Sequence, residues 1–147
     1  MKKVIAASIG NCVHVAGIMN FLSLAEREGY STYFLGAAIS IDELIEAVKE
    51  ERPDYVGVSY RLTPEPLEKI LAELKEKISL EHLEDIKWIF GGTEPTAKVA
   101  EESGIFNFIF NGTEDPDEVI GFLKGVTFTK SDDYPQDLVS RILSKYP

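Results

Sequence analysis

The chain has 147 residues, 44% of them hydrophobic and 27% charged, with a formal net charge of −10. That length suits one domain with a sizeable core, and the acidic balance argues against nucleic acid or an anionic membrane as a partner, since both need clustered cations. A lone cysteine, Cys12, excludes an internal disulfide framework and fits a reducing cytoplasm.

No apolar run reaches the roughly 18 residues of a membrane span. The first residues show no signal-peptide pattern. Residues 3–8 are apolar and rich in β-branched side chains and predict a first strand. Residues 15–28 carry Ile18, Phe21, Leu22, Leu24 and Ala25 at helical spacing, closed by Gly29. Residues 31–35 predict a second strand. Ser40 caps a helix running to about residue 50, with Asp42 and Glu43 in its first turn, where carboxylates suit the dipole.

Pro53 breaks that helix, and residues 54–59 form a third strand. Thr63 caps a helix to about residue 78, whose early Pro64 and Pro66 a first turn tolerates. A polar stretch, 79–85, leads into a fourth strand over 86–90. Thr93 or Thr96 opens the fourth helix and Gly104 closes it. Residues 106–110 predict a fifth strand, with an exit turn at Asn111-Gly112-Thr113. A fifth helix starts at Asp115 or Asp117 and ends near Lys124. Residues 125–147 lose clear periodicity, apart from a short helix over 137–145. We read 1–124 as one domain and 125–147 as a C-terminal tail or the start of a truncated further domain.

Strands alternating with helices imply α/β architecture: a doubly wound, five-stranded parallel sheet in a three-layer, Rossmann-like sandwich. The flavodoxin-like order 2-1-3-4-5 puts its switch point between strands 1 and 3. The ligand crevice then lies at the carboxyl ends of the strands. There the chain carries Cys12, His14 and Gly17; then Gly36-Ala37-Ala38; then Ser59-Tyr60-Arg61-Leu62-Thr63; then Gly91-Gly92-Thr93; then Asn111-Gly112-Thr113. Small residues and hydroxyls admit a large ligand close to the backbone. Imidazole is a common ligand for transition metals, which makes His14 the candidate metal ligand.

These residues resemble the cobalamin (vitamin B12)-binding domain of methionine synthase, corrinoid methyl-carrier proteins and B12-dependent mutases. That family's pattern is Asp-x-His-x-x-Gly, then Ser-x-Leu, then Gly-Gly. Here Cys12-x-His14-x-x-Gly17 is followed, across residues 18–58, by Ser59-x-Arg61, and across 62–90 by Gly91-Gly92. The spacings match the family's, and Leu62-Thr63-Pro64 and Gly112-Thr113 are similar to it as well.

The resemblance implies that His14 replaces the vitamin's own base as lower ligand of cobalt, base-off and His-on. It implies that the stretch Cys12, Val13, His14, Val15, Ala16, Gly17 forms the loop beneath the corrin. Ser59 and Thr63 would hydrogen-bond the nucleotide tail. Gly91, Gly92, Thr93, Gly112 and Thr113 would make room for it and supply backbone donors. The ring would lie near Ala37, Ala38 and Tyr60. The implied cofactor is methylcobalamin or adenosylcobalamin. The implied partner is a catalytic subunit or a missing C-terminal domain that performs methyl transfer or radical rearrangement. The rival expectation is a degenerate interaction module of the same fold that no longer binds cofactor.

Two positions depart from the pattern. Cys12 replaces the family's Asp, whose carboxylate accepts a hydrogen bond from the second ring nitrogen of the His. A thiol is a poorer acceptor, which predicts a weaker His14–cobalt bond with water or Asn11 supporting the ring; direct thiolate ligation by Cys12 and a merely buried thiol are the alternatives. Arg61 replaces a Leu, and its cation can meet the nucleotide phosphate or reach solvent or a Glu. His82 and the acidic runs read as solvated surface, and Trp88 as core. A receiver domain would need acidic residues after strands 1 and 3, where this chain has Asn11 and Ser59. A flavodoxin-type phosphate loop would need Ser or Thr within 10–17, and a dinucleotide fingerprint would need other glycine spacing. No acid/base pair or nucleophilic constellation marks the chain as an enzyme by itself.

Overall fold

A computed structural model describes residues 2–111 together with Gly121 and Leu123. Among these residues five strands alternate with four helices: β1 (Lys3–Ile9), α1 (Ala16–Arg27), β2 (Ser31–Ile39), α2 (Ile41–Glu51), β3 (Tyr55–Tyr60), α3 (Pro64–Leu80), β4 (Lys87–Gly92), α4 (Glu94–Ser103) and β5 (Phe108–Phe110). All pairings are parallel, in the order β2-β1-β3-β4-β5. This is the flavodoxin-like arrangement that the alternation predicts. The chain divides into two compact units, Met1–Gly112 and Thr113–Pro147. The expected fifth helix and tail fall in the second unit, outside the described residues except for Gly121 and Leu123. Among the described residues no helix is long and apolar enough to cross a membrane.

The order of the strands decides which helix covers which face. Right-handed crossovers place α1 on one face, because the chain steps from β1 to β2 in one direction. They place α2, α3 and α4 on the other, because every later step runs the opposite way. Strands β1 and β3 sit centrally and are buried on both faces, which explains their unbroken apolar runs. The main core lies between the sheet and α2, α3 and α4. There Ile9, Val58, Trp88 and Phe90 meet Leu44, Leu67, Leu71 and Leu74. Full burial of such a side chain contributes roughly 1.5–3 kcal/mol.

On the α1 face, Gly57 stands in the middle of β3. A Cβ there would lie 3.6 Å from Ala6 Cβ and 3.8 Å from the Phe21 ring. The glycine therefore lets α1 settle closely onto the central strands. The same Phe21 ring reaches Phe110 of β5, with centroids 6.2 Å apart.

Several boundaries differ from the sequence expectation: β4 runs over Lys87–Gly92 rather than 86–90, and α3 extends to Leu80. β2 does not end at residue 35 but runs to Ile39, keeping its pairing with β1 through register shifts after Ala6 and Ala7. The extension needs unusual backbone: Gly36 has φ +142° and Ala38, a non-glycine, φ +53°. β5 begins at Phe108 rather than 106. Asn107 takes the bridging role, its N–H bonding Trp88 O and its Oδ1 accepting from Trp88 N, each at 2.8 Å. α1 starts at Ala16 with Val15 as a cap that offers no side-chain acceptor. Ser40 caps α2 as expected, accepting from Glu43 N at 3.1 Å. Thr63 occupies the cap position of α3 without a side-chain bond to it.

Two adjacent glycines of β4 face opposite layers and predict opposite mutational outcomes. A Cβ at Gly92 would press into Thr96 Oγ1, lie 2.5 Å from Tyr60 O and 2.9 Å from the Phe90 ring, whereas a Cβ at Gly91 meets nothing within 4 Å among the described residues. Gly92→Ala is expected to destabilise by about 1–3 kcal/mol through overpacking, and Gly91→Ala by less than about 0.5 kcal/mol. Urea denaturation of the two variants checks this.

Candidate functional site

The site is built on the loop between β1 and α1. β1 ends at Ile9, and Gly10, at φ +65°, turns the chain. Gly10 N–H bonds Ile39 O at 3.0 Å and Cys12 N–H bonds Ile9 O at 3.2 Å. Cys12 is then driven fully into the protein, with no exposed surface. Its carbonyl accepts two hydrogen bonds, from Ser8 Oγ at 2.6 Å and from Ala38 N at 2.9 Å. Its Sγ accepts from Arg61 N at 3.4 Å and lies 3.5 Å from His14 Nδ1. One residue thus ties together the ends of β1, β2 and β3 and touches the candidate ligand.

The electrostatics of the thiol follow from these contacts. Burial pushes the Cys12 thiol up, but hydrogen bonding with Ser8, His14 and Arg61 outweighs it, leaving the thiol below its ordinary 9.0. Asn11 is exposed and has no hydrogen bond to His14, whereas Cys12 Sγ is the neighbour of the ring. The Cys12 side chain itself is wholly buried.

His14 is exposed, as are Val13, Ala16 and Gly17; Val15 is half-buried. With Nδ1 beside Cys12, the other ring nitrogen, Nε2, is left for a ligand. A Cβ at Gly17 would meet nothing within 4 Å among the described residues. Among the described residues no group of three or more His, Cys, Asp or Glu gathers to hold a metal ion. A lone imidazole suits a metal that brings its remaining ligands with it.

Ser8, Ser59, Gly91 and Phe110 stand side by side across four strands. Alternation along β3 places Ser59 on the same face as Gly57, the face that α1 covers. Ser59 is only 7% exposed, yet its hydroxyl has no hydrogen-bond partner among the described residues. A buried hydroxyl without a partner costs roughly 1–3 kcal/mol. Beside it, no described residue lies within 4 Å of where a Gly91 Cβ would stand, which leaves room for a group that could satisfy the hydroxyl. Orphaned hydroxyl and open glycine together form a cradle of the kind a bound tail would fill.

The structure separates residues that the sequence grouped. Tyr60 follows Ser59 and therefore points to the other layer. It lies in the core, its hydroxyl donating to Thr63 O at 2.8 Å, so its side chain does not face the crevice. Gly92 likewise serves the packing of Phe90 and Thr96 rather than an open cradle. Thr93 starts α4, its N–H donating to Thr96 Oγ1 at 2.9 Å. Arg61 and Thr63 are exposed, and the Arg61 side chain has no ion pair among the described residues. Ala37 and Ala38 are exposed at the bulged end of β2. Gly112 and Thr113 lie outside the described residues. His82 is exposed, away from these strand ends after α3, and Trp88 is core, as expected.

Sequence reasoning missed Ser8 and, although it named Ala38, missed that residue's left-handed conformation. A serine at the end of an apolar strand was a visible signal. The left-handed Ala38 had none, because alanine rarely adopts positive φ.

The family described as B12 binding domain matches residues 2–120. Among solved structures, the chain is similar to a novel cobalamin-binding protein from Desulfitobacterium hafniense DCB-2, at 24% identity and TM-score 0.68, covering 84% of this chain and 56% of that one. It is similar to the methanol:cobalamin methyltransferase complex from Methanosarcina barkeri at 17% identity and TM-score 0.66, covering 95% and 51% respectively. It also resembles the monomethylamine corrinoid protein of Methanosarcina barkeri at 20% identity and TM-score 0.66, covering 84% and 58%. The chain therefore spans little more than half the length of these proteins.

The two serines of the shared row predict different costs. Ser8→Ala removes a buried hydrogen bond to the Cys12 carbonyl and should cost about 1–2 kcal/mol. Ser59→Ala removes a hydroxyl with no partner among the described residues, so the stability of the ligand-free protein should hold or rise. Thermal and urea melts of both variants without any ligand decide it.

Proposed function

Because the chain belongs to the B12 binding domain family, we propose that it binds cobalamin at the carboxyl ends of its strands and presents the cobalt to a catalytic partner or a further domain. The observation that carries this reading is the Ser59 cradle: a buried hydroxyl with no partner among the described residues, beside space over Gly91 that no described residue fills, on the strand that ends next to the His14 loop.

The residues divide the work. His14, exposed and steadied by Cys12 at Nδ1, would hold cobalt from below through Nε2, with the cofactor base-off. Ser59 would donate to the nucleotide tail, and Thr63 lies at the exposed start of α3 where it could add a second hydroxyl. Gly17 and Gly91 keep space free for the tail. Gly112 and Thr113 complete the proposed set. Arg61, an exposed cation, suits the tail's phosphate. The corrinoid, when bound, supplies a cobalt centre that accepts and releases an alkyl group. The protein binds, orients and shields, and the substrate-binding groups belong to the partner.

Methyl transfer is the chemistry we favour over radical rearrangement. Supporting it, two of the similar solved structures are described as a methanol:cobalamin methyltransferase complex and a monomethylamine corrinoid protein. We assign the protein to the cytoplasm on its lone, unbridged cysteine.

A visible-absorbance titration with hydroxocobalamin and methylcobalamin tests the reading. Stoichiometric binding with base-off, His-on spectra is expected. His14→Ala should lose that signature and at least about tenfold in affinity, or 1.4 kcal/mol. Unchanged spectra in His14→Ala would remove His14 from the cobalt. No binding by the native chain would leave an interaction module of the same fold, to which the Cys12 and Arg61 departures would then belong. Gly91→Val, which fills the open cradle, should weaken cobalamin binding by at least about tenfold, read in the same titration, while leaving the melt of the free protein close to native.

A further inference from the structure

We infer that the amino ends of the strands, opposite the His14 loop, carry a second binding site, for a small anion of two or more charges of the pyrophosphate kind. An open cavity of about 550 Å³ lies there, with Lys2, Arg52, Asp54, His82, Asp85 and Lys87 in its lining. That volume falls within the roughly 300–1,000 Å³ of small-molecule sites.

The chain has 25 acidic residues against 15 basic ones, so its basic side chains have carboxylates to spare. Lys3, Lys49 and Lys77 each take one. Lys2, Arg52, His82 and Lys87 are exposed and form no ion pair among the described residues. The carboxylates that precede Arg52 and His82 are engaged elsewhere: Glu51 with Lys3 at 3.9 Å and Glu81 with Lys49 at 3.0 Å. Asp54 Oδ2 accepts from Lys3 N–H at 2.8 Å. Three cations and an imidazole therefore share the cavity with one uncommitted carboxylate, Asp85.

The backbone singles out the same place. Arg52 has φ +46° and His82 φ +56°, and they are two of the three non-glycine residues with positive φ among the described residues. Each stands at the end of a helix, where glycine takes that conformation without steric cost. The pull of a helix carboxyl end on cations accounts for a basic residue after α2 and α3. It does not account for Lys2 and Lys87, which stand at the starts of β1 and β4. The frame beneath is fixed, since Asp54 N–H bonds Lys3 O at 2.9 Å and Lys87 N–H bonds Asp54 O at 3.1 Å. Cations brought from the starts of three strands can grip a multiply charged anion from several sides.

Titration of the full chain with sodium pyrophosphate at constant ionic strength, followed by amide proton–nitrogen spectra and calorimetry, tests this. The amides of Lys2, Arg52, His82, Asp85 and Lys87 should shift along one saturable curve, with Kd at or below about 1 mM. Arg52→Gly relieves the left-handed backbone and removes a cation, so it should melt at or above the native temperature and yet bind at least about tenfold more weakly. Lys87→Gln should also weaken binding, Asp85→Asn should tighten it, and Lys98→Gln on α4 should change nothing. Shifts that do not saturate, or that are as large around Lys69 and Lys98, mean general charge screening and overturn the inference. Native affinity in folded Arg52→Gly and Lys87→Gln overturns it too. If Arg52→Gly does not fold, Lys87→Gln and Asp85→Asn decide. Cobalamin, proposed for the carboxyl ends of the strands, is absent from the assay, so neither reading stands or falls with the other.

Discussion

The β1–α1 loop hangs from Cys12. Its amide bonds back to Ile9, its carbonyl takes Ser8 and Ala38, and its sulfur takes the Arg61 amide while lying beside His14. Each bond is worth only about 0.5–1.5 kcal/mol net. Their geometry matters more than their sum, because the partners come from three different strands. A loop held in this way cannot drift relative to the strand ends. The strained Ala38 at φ +53° is part of the same arrangement, since that conformation lets its N–H face the Cys12 carbonyl. Strain of this kind costs about 1–3 kcal/mol and persists only where the surroundings impose it.

The second organising constraint is the two-residue period of a strand. At the ends of β3 and β4 it divides neighbouring residues between two tasks. Ser59 and Gly91 face the α1 layer, where a hydroxyl lacks a partner among the described residues and a glycine leaves space. Tyr60 and Gly92 face the other layer, where an aromatic ring supports the Gly10 turn and a glycine admits Thr96 and Phe90. The candidate site and the main core are therefore built from interleaved residues of the same two segments, and a one-residue register slip would destroy both.

The charged groups of α2 and α3 pair with one another at the surface, as in Lys49 with Glu81 and Lys77 with Asp42. The strand ends instead offer one imidazole, a few hydroxyls and open backbone. With the exposed Arg61 beside it, such a surface can gain affinity from shape, close approach and one cation.

Periodicity alone determined the alternation of elements, and the alternation determined the parallel sheet and its order, because right-handed crossovers leave few alternatives. The spacing of Cys12, His14, Gly17, Ser59 and Gly91 carried the resemblance to the family, and these residues sit at the strand ends that a doubly wound sheet turns toward its ligand. Local pattern did not reveal the extension of β2, because its pairing with β1 continues through register shifts and left-handed residues that no propensity favours. Nor did it reveal which of Ser59 and Tyr60 faces the crevice, or that Gly92 is a packing residue. Only the tertiary structure brought Arg61 N–H to the Cys12 sulfur, because that contact joins residues that meet only when β1 and β3 lie side by side.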